Sequence, residues 1–173
     1  MNTQSYARRL YARLKRVDVS SAVELMIREG WAEDKAQANF RIDALLQWMA
    51  GLPFAGPENL YVVLNRDLDN AFHAFVLNTR FYEVFCRENF GFFVHHDPLD
   101  RESINEAELK AGIKHTLTFL SDVFGADLHP DFSELISVND SVGISVSAIT
   151  CFRQCYERQQ SKVTQLLLDQ AAA

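Results

Sequence analysis

The chain has 173 residues, 48% apolar and 23% charged, a composition that excludes wholesale disorder and supplies a core for one domain spanning residues 1–173. A net charge of −6 repels phosphate backbones and disfavours non-specific nucleic-acid binding. No apolar run approaches the ~20 residues that a membrane-spanning helix needs, and Phe (13) outnumbers both Gly (7) and Pro (4), which favours long helices around an aromatic core.

The first element predicted is a basic amphipathic helix over residues 3–17. Tyr6, Leu10, Leu14 and Val17 recur at helical spacing on one face. Arg8, Arg9, Arg13, Lys15 and Arg16 occupy the other side, and residues 1–16 contain no acid. Such a face is read as solvated, as an anchor for an acidic protein partner or anionic lipid, or as a targeting segment. The N-terminus has no apolar stretch followed by a small-residue cleavage site, so it is not read as a secretory signal.

Residues 20–29 form a second short helix, ended by Gly30. A third helix spans Asp34 to Ala50, with Ile42, Leu45, Leu46 and Met49 as its apolar stripe and Gly51 and Pro53 as its stop. Leu60 to Leu64 is apolar but too short for periodicity to separate strand from helix. Two helices follow, near Asp67–Thr79 and Phe81–Phe90, or one bent helix, ended by Gly91. Residues 92–99 are expected to be extended, because Pro98 biases its predecessor away from helix.

The spacing from Ser103 to Glu106 fits a capping box. The helix that follows carries Leu109, Ile113, Leu117, Leu120 and Phe124 on one face and ends at Gly125. Residues 126–130 read as a loop, and residues 137–147 follow no clear period. A last helix is expected from Ser147 to Asp169, which would place Cys151 and Cys155 one turn apart. The sum is an all-α fold of about six helices, with room for one short strand pair. Three cysteines, Cys86, Cys151 and Cys155, give no disulfide framework and fit a reducing cytoplasm.

Chemistry concentrates in residues 67–98. Asp69 and His73 lie four apart on one helix face, where a carboxylate can orient an imidazole and fix its tautomer. Cys86, His95 and His96 follow. A helix, a turn and an extended segment can bring His73, Cys86 and one of the paired histidines together as nitrogen and sulfur ligands for zinc, iron or copper. Neighbouring residues of an extended segment face opposite sides, so His95 and His96 do not both reach one ion. The competing reading makes Asp69 a helix cap, His73 a satisfied core histidine and Cys86 a small hydrophobe.

The ordered series Asp69, Phe72-His73, Val76-Leu77-Asn78-Thr79, Tyr82, Cys86, Phe90-Gly91, His95-His96 and Pro98 resembles the bacterial and plant glycine-rich-domain-containing proteins over roughly residues 60–130. Phe72 stands where that family carries Trp, Phe75 where many members carry a second His, and Asn78 where it carries Asp. The glycine-rich tail is absent. The resemblance implies a constrained unit at residues 69–98; the RNA binding attached to some plant members fits poorly with the acidic charge.

Among the remaining candidates, His115 reads as a boundary residue and His129 as a loop histidine. No glycine-rich phosphate loop or GxSxG elbow is present. The leading expectation is a non-enzymatic helical module that contacts another protein, with the basic helix as its docking face. The alternative is a metal site of His73, Cys86 and His95 or His96, oriented by Asp69. A third reading is single-stranded RNA binding by aromatic stacking beside the basic helix.

Overall fold

The computed structural model describes residues 3–55, 60–96, 106–142, 150–152 and 156–169, of which 138–142, 150–152 and 156–161 are described as backbone alone. The architecture is all-α. Among the described residues eight helices run in the order α1 (Thr3–Leu14), α2 (Ser20–Arg28), α3 (Lys35–Gly51), α4 (Arg66–Leu77), α5 (Thr79–Asn89), α6 (Glu106–Phe124), α7 (Pro130–Val142) and α8 (Tyr156–Asp169). Two short strands, β1 (Tyr61–Val63) and β2 (Thr150–Phe152), pair antiparallel with Val62 opposite Cys151. No helix among the described residues is long and apolar enough to cross a membrane.

The centre of the molecule is α3. Asp34 caps it by accepting from the Gln37 amide at 2.8 Å. Its second half, Ala44 to Gly51, is buried on every side, as a helix packed against α1, α2, α4 and α6 must be. The one polar side chain in that stretch, Gln47, is fully satisfied. Its Nε2 donates to the Asp127 carbonyl (2.9 Å) and its Oε1 accepts from the His129 amide (2.7 Å). The loop between α6 and α7 is thereby fixed to the core.

The run Leu60–Leu64 becomes a strand because helices supply its hydrogen bonds. Trp48 Nε1 on α3 donates to the Val62 carbonyl (2.8 Å), and the Val62 amide donates to Thr116 Oγ1 on α6 (3.0 Å). The opposite edge pairs with β2. Gly112 lets β1 approach α6, since a Cβ there would stand 2.8 Å from Leu60 Cβ.

Several boundaries differ from expectation. The helix expected from Ser147 to Asp169 starts only at Tyr156, and Cys151 lies on β2, so the two cysteines do not share a helix; Cys155 and the capping residue Ser103 fall outside the described residues. Residues 137–142, which followed no clear period, continue α7. The segment near Asp67–Phe90 is two helices, as expected, rather than one bent helix; they part at Asn78 (ψ 69°), whose Nδ2 donates to Ser21 Oγ.

The basic N-terminal helix is docked rather than free. Arg8 donates to the carbonyls of Val123 (2.5 Å) and Phe124 (3.2 Å), at the end of α6. Arg13 donates to the Glu88 carbonyl and to Asn89 Oδ1, at the end of α5. Arg9 donates to the Leu167 carbonyl in the last turn of α8. Three guanidinium groups thus meet the carbonyl ends of three helices, where the last carbonyls lack intrahelical partners and the helix dipole is negative. Lys15 pairs with Asp43 at 3.4 Å, and Arg16 is exposed.

Candidate metal centre

Two elements build the cluster. Asn65 caps α4 by accepting from the Leu68 amide at 2.8 Å. One turn later Asp69 and His73 project from the same face, with His73 Nδ1 3.4 Å from Asp69 Oδ2. The second element is the arm after α5. Gly91, at φ 70°, ends that helix in the left-handed region where only glycine is unstrained. The chain then runs through residues 92–96 without helix or strand, alternating outward and inward as an extended segment does. Val94 is buried, Phe93 and His95 are exposed, and His96 turns inward.

His96 Nε2 reaches 2.8 Å from Asp69 Oδ1. Each oxygen of one carboxylate therefore faces one imidazole nitrogen. The His73 and His96 rings lie 4.6 Å apart at 32°. The donor atoms of Asp69, His73 and His96 all fall within 4.8 Å of one another. Asp69 and His96 side chains are 7% and 9% exposed, whereas His73 is 40% exposed, so the cluster opens to solvent on one side. Phe72 packs edge-on to His96 (4.6 Å), and Trp31 stands 6.1 Å from His73. Trp31 precedes Asp69 by a whole helix, and no spacing rule in the sequence points to it.

These separations suit a metal as well as hydrogen bonds. With ligand bonds of roughly 2.0–2.2 Å, two donors at right-angle or tetrahedral positions stand about 2.8–3.6 Å apart. The two imidazole-to-carboxylate separations, 2.8 and 3.4 Å, fall in that range, each to its own oxygen of Asp69.

The structure groups these residues differently from the sequence expectation. The Asp69 carboxylate stands against both imidazoles, where it could itself serve as a ligand. Cys86 lies outside the cluster: it is 1% exposed, and burial pushes its thiol up. A thiol held protonated is a poor ligand. His95 points outward against Phe93 (4.9 Å). His115 binds the Ala55 carbonyl at 2.8 Å. His129 is buried against Phe40, and burial lowers its pKa.

A family model described as UCP032817-like matches residues 27–130. That span holds Trp31 and the whole cluster and excludes α1 and α8. Neither a curated protein nor a solved structure matches the chain. The match overturns the resemblance to glycine-rich-domain-containing proteins, which nothing in the comparisons supports. Five of the residues that carried that resemblance, Asp69, Phe72, Tyr82, Cys86 and Phe90, are buried. Buried aromatics at helical spacing mark a packing arrangement, which unrelated helical chains can share.

Proposed function

The chain belongs to the UCP032817-like family, and we propose that it binds a divalent transition-metal ion through Asp69, His73 and His96. The observation that carries this reading is the convergence of two imidazoles and one carboxylate from separate elements onto a point that opens to solvent. Two imidazoles and a carboxylate are borderline-to-hard donors that suit zinc(II) or iron(II). With Cys86 outside the set, the soft donor that would favour copper(I) is gone.

Three protein ligands leave positions for water or a substrate, the pattern of a working site rather than a closed structural one. Trp31 borders the open side. Contact with another protein through the basic helix is less well supported, because Arg8, Arg9 and Arg13 already bind the chain's own carbonyls. Such a partner would meet Arg16, Lys15 and the exposed part of Arg8.

The test is elemental analysis of the untagged protein beside its His73→Ala variant. His73 is the ligand to change because its exposure lets the fold survive. Near-stoichiometric zinc or iron that falls in the variant supports the reading. A folded wild-type chain that neither carries metal nor takes it up on titration would end it.

A further inference from the structure

The arm that delivers His96 has neither helix nor strand to hold it, yet His96 meets Asp69 at 2.8 Å. Something must fix its main chain. The Val94 carbonyl is held from α5, where Tyr82 Oη donates to it at 2.5 Å. Both residues are buried, at 0% for Tyr82 and 1% for Val94.

We infer that Tyr82 is a positioning residue, a clamp on the Val94 carbonyl that sets where His96 stands relative to Asp69. In an extended segment the side chain two residues on faces the same side. Fixing the peptide plane that follows Val94 therefore fixes the direction in which His96 leaves the arm. Phe93, edge-on to the Tyr82 ring at 5.1 Å, covers the clamp from outside.

The consequence for metal rests on the proposed function, but the clamp itself can be read without it. The experiment compares wild type with Tyr82→Phe, which keeps the ring and removes only the hydroxyl. Zinc affinity is measured by competition with a chromophoric chelator, and amide hydrogen exchange is followed at residues 92–96. Loss of an outer support typically weakens metal binding roughly 10- to 100-fold, and that is the loss expected here, with unchanged stoichiometry and faster exchange in the arm. Phe85→Leu, a change at an equally buried site on the same helix, separates positioning from general stability. It should lower the melting temperature and leave zinc affinity in place.

Unchanged zinc affinity in Tyr82→Phe overturns the inference, as does weakened affinity with unchanged exchange in the arm. If wild type binds no zinc, the metal reading fails and the exchange data alone decide. Faster exchange at residues 92–96 then upholds the clamp, and unchanged exchange refutes it.

Discussion

His96 Nε2 lies 2.8 Å from Oδ1 of Asp69, which precedes it by 27 positions. Asp69 is set by a helix and His96 by an arm, so their meeting depends on the turn at Gly91 and on everything that holds α5 in place. Four expectations follow from that dependence and from the docking of the helices around it.

The ligand set itself is open to spectroscopy. Cobalt(II) bound by Asp69, His73 and His96 should show d–d absorption without a thiolate charge-transfer band, because the Cys86 thiol lies outside the cluster. Cys86→Ala should then leave the stoichiometry at the wild-type value. An intense sulfur-to-cobalt band that vanishes in this variant would place Cys86 among the ligands and refute the assignment.

Gly91→Ala should destabilise the protein by about 1–2 kcal/mol from the left-handed backbone alone. Its new Cβ would also press on Leu166 Cδ1 at 3.3 Å. Since the arm starts at this turn, metal affinity should fall together with stability. Denaturant unfolding and zinc titration of the same sample check both, and a wild-type affinity would mean that the arm is not aimed by this turn.

Arg13→Ala should cost about 1–3 kcal/mol, the usual range for charge-assisted hydrogen bonds whose acceptors are left behind. Arg13→Lys should recover little, because one ammonium does not reproduce a planar fork on two acceptors. Arg16→Ala, at an exposed position, should stay within about 0.5 kcal/mol. Urea unfolding of the three variants ranks them, and equal effects for Arg13→Ala and Arg16→Ala would show that helix docking contributes nothing.

Burial lowers the pKa of His129 from its ordinary 6.5. Its Nδ1 accepts from the Asp131 amide, so a second ring proton would oppose that donor. Phe40, Asp131, Asp43 and Lys15 also face the ring electrostatically, with the two carboxylates partly opposing the shift. A depressed folded pKa means that the unfolded chain takes up the proton first. Stability from this group is therefore complete above about pH 6.5 and is lost as pH falls toward the folded value. The slope cannot exceed about 1.4 kcal/mol per pH unit for one proton. Asp131, raised by burial, acts in the opposite direction from 3.8 upward. Thermal unfolding of wild type and His129→Gln at pH 7 and pH 5 isolates the histidine. An identical pH response in both would remove it from the account.

Much of the helical layout was legible in the sequence because it depends on near neighbours. The stripe Leu109, Ile113, Leu117, Leu120, Phe124 is buried as its period requires, and Gly30, Gly91 and Gly125 each take positive φ where a helix ends. The pairing of Asp69 with His73 follows from four-residue spacing on a helix, and the opposite facing of His95 and His96 from the alternation of extended backbone.

What residues far apart do to one another was not legible. A short apolar run cannot announce a strand whose partners are Trp48 and Thr116. A basic face reads as solvated or waiting for a partner until helix ends are brought to it, and Arg8, Arg9 and Arg13 find theirs 75 to 158 positions away. His96 reaches Asp69 and Cys86 stays outside the cluster for the same reason. Sequence spacing determined which side chains share a face; only tertiary packing decided that the thiol is buried outside the cluster and that the carboxylate meets His96, since local geometry fixes direction but not what waits in that direction.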